Sequence, residues 1–368
     1  MPRGFNVGAD VLTRTADGVD LNLIWNEFND ALTAWNAGRS AVAALFSFPT
    51  VDSFVQYAVG EGDLELELAS EFGVPTSGRA EPDYARMGFP LDWYDKAKRY
   101  TRKFLRDATA EQVRAQHAAF LEADNKLVFR SVMKALTTKT ASGSRSINEN
   151  GVEIFDLWDG TDSVAPPSFG GKTFTNSHSH YLVSGAATID GGDLKALIDT
   201  IQEHGFGSRG SNEQIVIMVH PTQGDVIKTF RRDPENAAVD PFDFIPAVNA
   251  PAYLTDQAIV GDKAPASFNS LALIGSYGDA WIHENYLIPQ GYAIALATAG
   301  PNAGRNPVAF RQHPQAENQG FRLLPGHERY PLLDSVYERG FGVGVRHRSA
   351  AAVMQIKASG SYDNPTWP

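Results

Sequence analysis

Two histidines separated by one residue are the strongest candidates for chemistry in this chain. His178 and His180 flank Ser179, and alternate residues of a strand point to the same face, so the two imidazoles could share a metal ion. Metal hydrolases that use such a pair usually add further His and Asp ligands soon after it. Residues 181–185, Tyr-Leu-Val-Ser-Gly, follow here without a carboxylate. We therefore expect both histidines to have a structural or surface role.

A third histidine, His220, ends the apolar run at residues 214–219. Enzymes with α/β folds often place a ligand or a base at such a strand end, but Pro221 follows at once. A strand-terminal histidine with a satisfied ring nitrogen is the simpler interpretation. A soluble metal-dependent hydrolase that uses His178, His180 and His220 is the alternative function from a different class.

Other catalytic signatures are weak or missing from the sequence. The glycine-rich stretch at residues 340–344 lacks the following helix that a phosphate-binding loop requires, so we expect its glycines to allow close packing of a strand. No Gly-x-Ser-x-Gly elbow and no complete Walker-type phosphate loop occur, and zero cysteines exclude thiolate nucleophiles and disulfides. We predict no catalytic residue, no cofactor and no metal, and hence a protein that is not an enzyme.

A strongly acidic window and a strongly basic window lie on either side of a stretch rich in Gly and Pro. The acidic window alternates with leucines at period two, as a strand does, whereas a single apolar stripe and long charged side chains cannot form a core. We expect two arms that lie on their own partner strand or on a neighbouring subunit, with a solvated hairpin as the alternative. The charged residues are Glu61, Asp63, Glu65, Glu67 and Glu71, and Lys96, Lys98, Arg99, Arg102, Lys103 and Arg106.

Length and charge limit the functional classes. A chain of 368 residues with 43% hydrophobic and 20% charged residues is typical of a soluble globular protein with one large core or two moderate ones. No apolar run is long enough to span a bilayer, and the N-terminus lacks the apolar segment of a signal peptide. A net charge of -11 opposes wrapping of nucleic acid but is compatible with enclosing it. Tyr100 and Phe104 within the basic window leave a single-strand binding platform as a weaker alternative.

The elements that would position these residues can be predicted from periodicity. Spacings of three and four residues predict a helix at 21–35, a long helix at 109–138 that follows the basic window directly, and a third helix that opens at Asp193. The last two predicted strands form a pair around a charged turn at residues 346–348, and the others coincide with short apolar runs. The predicted strands lie at 152–158, 214–219, 271–274, 281–283, 292–297, 341–346 and 352–356.

The order of these elements resembles that of tailed-bacteriophage major capsid proteins of the Hong Kong 97-type fold, particularly those of phages that infect actinobacteria. The resemblance covers most of the chain, and its specificity lies in the order of several short stretches rather than in any one of them. These stretches are Trp93-Tyr94, Thr101-Arg102-Lys103-Phe104-Leu105-Arg106-Asp107, residues 176–185, Val219-His220-Pro221, residues 286–292 and residues 337–346.

The resemblance implies an α+β fold with five parts. An N-terminal arm with an amphipathic helix would occupy residues 1–58, and an extended hairpin called the E-loop would occupy 59–107. The peripheral (P) domain would cover 108–213, including a spine helix at 109–138, and the axial (A) domain would cover 214–335. Residues 336–368 would return to the P domain. The charged residues of both windows would then form a subunit interface.

The function implied is a major capsid protein that assembles through pentamers and hexamers into an icosahedral shell around phage double-stranded DNA. Its partners would be copies of itself, a separate scaffolding protein and a portal, with the DNA enclosed without sequence-specific binding and no membrane involved. Assembly in the host cytoplasm would place the chain in the virion capsid. An encapsulin-like nanocompartment shell with the same fold is the closest alternative.

Overall fold

The structure of the protein is a computed structural model. The described residues are 12–38, 41–59, 68, 73, 83–162, 164–174, 178–208, 210–233, 235–236, 239–248, 263–326 and 331–367.

The described residues contain six α-helices and sixteen strands, which we number in chain order. The helices are α1 Leu21–Ala37, α2 Ala41–Phe46, α3 Arg102–Asp107, α4 Ala110–Thr137, α5 Gly191–Gln202 and α6 Pro221–Ile227. The strands are β1 Ser47–Thr50, β2 Phe54–Val59, β3 Asp83–Gly88, β4 Asp92–Arg99, β5 Tyr181–Val183, β6 Gln214–Val219, β7 Phe244–Pro246, β8 Ser267–Phe268, β9 Leu271–Ala272, β10 Gly275–Tyr277, β11 Ala280–Glu284, β12 Tyr292–Thr298, β13 Val308–Gln312, β14 Phe321–Pro325, β15 Asp334–Val345 and β16 Ala351–Gln355. Within these residues no helix has the length and apolar character needed to cross a membrane.

The chain forms two compact units, each built from separate stretches of sequence. The first unit comprises residues 1–40, 91–129 and 312–342, and the second comprises 41–90, 130–311 and 343–368.

In the first unit, α1 packs its apolar face into a core shared with α3, α4 and the strands. The Asp20 side chain caps α1 by accepting a hydrogen bond from the Asn22 backbone N–H, and the buried Ile24, Phe28 and Leu32 recur every four residues. Strand β15 pairs antiparallel with β4 and with β14. The predicted helices at 21–35 and 109–138 are confirmed, because both carry a regular apolar stripe and a capping residue.

In the second unit, a seven-stranded sheet has the order β5-β16-β12-β6-β11-β10-β7. Strand β6 lies in its interior, parallel to β11 and antiparallel to β12, and its residues from Ile215 to Val219 are buried. Helix α5 packs on the sheet through Leu194, Leu197 and Ile201. The buried apolar run at 214–219 therefore formed the strand that its sequence predicts.

The predicted pairing of the last two strands around a charged turn is wrong. The stretch from Phe341 is the end of β15, whereas β16 pairs with β12 and β5. The turn between them is not a solvated hairpin loop, because Arg348 is fully buried and its guanidinium binds the Asp162 carboxylate and two backbone carbonyls. Arg348 and the groups that it binds all lie in the second unit.

The predicted strand at 152–158 is also wrong. Only Glu153 takes part in a β-bridge, with Ile147. The Trp158 backbone N–H donates to the Arg348 carbonyl, and the Trp158 carbonyl accepts from the His180 backbone N–H. The backbone groups of this run form hydrogen bonds with separate segments and not with one partner strand, so the run has no regular strand structure. Leu157 and Trp158 are nevertheless buried, as the apolar pattern predicts.

Candidate assembly interface

The base of the predicted E-loop is an antiparallel hairpin. Strands β2 and β3 pair from Phe54 opposite Gly88 to Val59 opposite Asp83. Met87 anchors this hairpin, since it is buried with Phe155 in the second unit. The five acidic residues of the window, Glu61, Asp63, Glu65, Glu67 and Glu71, lie outside the described residues.

The basic window begins on β4, the strand that pairs with β15 in the first unit. Its side chains are mostly exposed, including Lys96, and the same strand also carries the exposed aromatic residues Trp93 and Tyr94. Gly340 of β15 lies opposite Trp93, and a Cβ atom at this glycine would come within 2.7 Å of the indole. The glycine is therefore needed for close packing of the strand, as the sequence predicts.

The two bases at the end of β4, Lys98 and Arg99, make polar contacts within their own unit. The half-buried Lys98 ammonium donates to the Gln116 side chain and lies 4.7 Å from the centroid of the Tyr100 ring. Burial lowers the pKa of Lys98. The Arg99 guanidinium lies 3.2 Å from the carboxylate of Asp334. These contacts position β4 against its neighbours.

Helix α3 presents the remaining bases. The Thr101 hydroxyl accepts a hydrogen bond from the Phe104 backbone N–H and so begins the helix. Leu105 is buried in the core of the first unit, which leaves Arg102, Lys103 and Arg106 exposed on the other faces. Arg106 pairs with the adjacent Asp107 at 2.9 Å.

Three of the six bases thus point to solvent without a carboxylate. Within the described part of the chain, no ion pair reaches Lys96, Arg102 or Lys103. We call these three residues the basic patch. The described strands also leave the other edge of β4 unpaired, since β15 is its only partner among them.

The structure brings the two predicted histidines together with a third that sequence reasoning missed. His204 Nε2 lies 2.9 Å from His178 Nε2 and 3.1 Å from His180 Nε2. His180 is fully buried, His204 is buried, and His178 is half-buried. His204 follows α5 by two residues and lies far from the other two in sequence, so no short spacing pointed to it.

His220 does not belong to this cluster. Its ring nitrogen Nδ1 accepts a hydrogen bond from the Thr222 backbone N–H and caps α6. The three histidines of the alternative hydrolase, His178, His180 and His220, therefore do not form one site, and a satisfied ring nitrogen is the role that the sequence favoured for His220.

Comparison with known proteins supplies the family. A solved structure from Mycobacterium phage Patience is 37% identical in sequence, covers 99% of this chain and 96% of its own, and superposes with a TM-score of 0.72. No protein-family model and no curated protein sequence matches the chain.

More distant structures also align. One from Gordonia phage Cozz is 14% identical over 87% of both chains with a TM-score of 0.43. An encapsulin complex from Synechococcus elongatus is 12% identical over 88% of this chain and 90% of its own, with a TM-score of 0.42. Both scores are too low to bear on function, and the nanocompartment alternative is not favoured.

The fold and the phage relative define a shell protein of a tailed bacteriophage. The chain belongs to the family of major capsid proteins with the Hong Kong 97-type fold, and its relative comes from a phage of an actinobacterium. It is a structural component of the virion capsid, where copies of the chain associate with one another.

Proposed function

We propose that the chain assembles through pentamers and hexamers into an icosahedral shell that encloses phage double-stranded DNA. The observation that carries this proposal is the 37% identity to the phage relative across nearly the whole of both chains. Assembly takes place in the host cytoplasm with a separate scaffolding protein and a portal, and the chain has no catalytic activity. Its net charge of -11 suits a wall that must not adhere to the packaged DNA.

We assign five parts to the subunit. Residues 1–58 form the N-terminal arm, 59–107 the E-loop, 108–213 the P domain with its spine helix, 214–335 the A domain and 336–368 the returning segment. Two observations support this assignment. The hairpin of β2 and β3 leads into residues 60–82, and the 28-residue helix α4 begins directly after the basic window.

Within this assignment, we propose that the basic patch contacts acidic residues of a neighbouring subunit. Lys96, Arg102 and Lys103 are exposed and have no carboxylate partner in the described part of their own chain. Tyr94 is 37% exposed and lies on the same face of β4 as Lys96, and an aromatic ring beside a cation is a common composition for an interface anchor. The unpaired edge of β4 adds backbone donors and acceptors. The acidic window of the neighbour supplies charges of the required sign.

Charge reversal tests the interface. We expect Arg102→Glu with Lys103→Glu to abolish shell formation, because like charges would then meet the acidic residues of the neighbour. The variant subunit should stay soluble and folded. Negative-stain microscopy and sedimentation velocity measure assembly, and circular dichroism measures folding.

The matched control is Arg130→Glu with Lys134→Glu on α4, where both residues are exposed and the net charge changes by the same amount. We expect this control to form shells. Normal shells from the Arg102 and Lys103 variant would refute the interface, and a loss of shells in both variants would assign the effect to net charge.

A further inference from the structure

Three imidazole rings converge in the second unit at a place that shell assembly does not explain. His178, His180 and His204 each offer one ring nitrogen, and these nitrogens lie within 4.8 Å of one another. The two measured Nε2 separations are 2.9 and 3.1 Å. Tetrahedral zinc with Zn–N bonds of about 2.0–2.1 Å requires nitrogens about 3.3 Å apart. The two contacts of His204 are a few tenths of an ångström shorter than a bound ion requires, and the rings of His178 and His180, whose ligand nitrogens lie within 4.8 Å of each other, would have to adjust to the same spacing.

The hydrogen bonds of the cluster fix the tautomer of one ring. His180 Nδ1 lies 2.7 Å from the Ala351 carbonyl oxygen, and because a carbonyl can only accept, this nitrogen carries the proton. The neutral ring then presents the bare lone pair of Nε2 to His204. A metal-binding histidine is held in the same way, by a hydrogen bond from its other nitrogen to a backbone carbonyl.

Protons alone satisfy the remaining contacts poorly. A single N–H on His204 Nε2 would have to serve two neighbouring nitrogens, and its Nδ1 is buried without a partner among the described residues. A cation that accepts three lone pairs resolves this conflict.

The surrounding elements also favour a cation. His204 lies just beyond the C-terminal end of the 12-residue helix α5, where the backbone carbonyls create a negative potential. The Phe174 ring lies 3.7 Å from the His204 ring, between centroids, and covers it. The carboxylate of Glu203, the residue before His204, lies 3.1 Å from the ammonium of Lys172. It forms an ion pair there and is not available to accept a proton from the histidines.

We propose that His178, His180 and His204 bind a divalent transition-metal ion of borderline softness, such as Zn²⁺, which ties the segment before β5 to the end of α5. Imidazole nitrogens select this class of ion over Mg²⁺ and Ca²⁺, which prefer oxygen ligands. Water takes the fourth position on the side of the half-buried His178. The ion stabilises the subunit. This proposal departs from the sequence-based expectation that the chain binds no metal.

Cobalt binding by the full-length, unassembled chain tests the site directly. After chelation and removal of bound metal, Co²⁺ should bind one ion per chain and give the intense visible absorption of tetrahedral coordination, and Zn²⁺ should displace it. Zn²⁺ should raise Tm, whereas Mg²⁺ at the same concentration should not. The absence of a stoichiometric Co²⁺ spectrum in the wild-type chain would overturn the proposal without any mutation.

Two matched histidine variants locate the ion. His178→Asn removes a ligand at a half-buried position and should weaken Co²⁺ binding at least tenfold, since even changes behind a ligand cost about 10–100-fold in affinity. His220→Asn keeps a side chain that can cap α6 and should bind Co²⁺ as the wild type does. Equal binding by the His178 variant and the wild type, or loss of binding only in the His220 variant, would refute the assignment.

Discussion

Charged residues serve opposite purposes in two regions of this capsid protein. Around Arg348 in the second unit, the cation is fully buried and its hydrogen bonds all go to groups of the same chain. In the basic patch, Arg102 and Lys103 are exposed and meet no carboxylate in the described chain. The difference shows that burial decides whether an arginine specifies the fold or is available to a partner.

The buried region owes its character to a shared carboxylate. Asp162 accepts from Arg348 at 2.7 and 2.9 Å and from Arg145 at 2.5 Å. Burial raises the pKa of Asp162, but the hydrogen bond and the charge of Arg348 outweigh it, so the net pKa lies below its ordinary value. Two cations compensate the charge of this buried carboxylate. Removal of either cation therefore leaves part of the negative charge uncompensated in the interior.

Arg348→Met should give the largest effect. It removes four hydrogen bonds and leaves Arg145 as the one cation at Asp162 among the described residues, and breaking a buried pair of this kind costs about 3–5 kcal/mol. Urea unfolding of unassembled subunits measures the change. Arg346→Met, on a half-buried neighbour, should cost less than about 1 kcal/mol. Similar losses in both variants would contradict the special role of the buried cation.

Acid should destabilise the first unit through His117, which stacks on Phe28 at 4.0 Å between centroids and lies with Nδ1 2.6 Å from the Tyr337 hydroxyl. Burial lowers the pKa of His117 from 6.5 to about 4. The unfolded chain therefore binds the proton first. The stability contributed by the neutral ring is complete above pH 6.5 and is lost as the pH falls towards 4.

The expected loss from His117 between pH 7 and pH 5 is about 2 kcal/mol. His117→Phe keeps the stacking on Phe28 and should remove this part of the pH dependence, although Tyr337 loses a partner. Unfolding free energies of both proteins across that pH range decide the matter, and an unchanged slope in the variant would refute the assignment to His117.

Lys98 is neither fully buried like Arg348 nor free of side-chain contacts like the basic patch. Its stem is half-buried, and its ammonium contacts Tyr100 and Gln116. Lys98→Met keeps the stem and removes the charge. We expect a loss of about 0.5–1 kcal/mol in unfolding free energy, the usual worth of a cation–π contact near the surface, and normal shells. A failure of shell assembly would place Lys98 with the basic patch instead.

The smallest effect on stability should come from the basic patch itself. Arg102→Glu with Lys103→Glu should change the unfolding free energy by no more than about 0.5 kcal/mol, because both side chains are exposed. The same change should abolish assembly. Wild-type assembly should also slow as salt rises towards 1 M, where the screening length falls to about 3 Å. A large loss of stability would show that Arg102 and Lys103 stabilise the fold of the subunit and not only its contact with a neighbour.

Local regularity explains which elements the sequence predicts correctly. The four-residue spacing of Ile24, Phe28 and Leu32 and the continuous apolar run of β6 leave little choice of structure. The exposed bases of α3 follow from the same reasoning, because the apolar Phe104 and Leu105 are the residues of this helix that pack against the core. The acidic half of the predicted interface lies outside the described residues, so its role stays a prediction.

The sequence by itself determined helices α1, α4 and α5, the buried strand, the order of elements that marks the capsid family and the presence of a basic window, since each depends on neighbours only a few residues apart. The tertiary structure alone decided that β15 and β16 lie apart, that Arg348 is buried and that His204 joins His178 and His180. These outcomes depend on groups distant in sequence, whose partners become defined only when the chain packs.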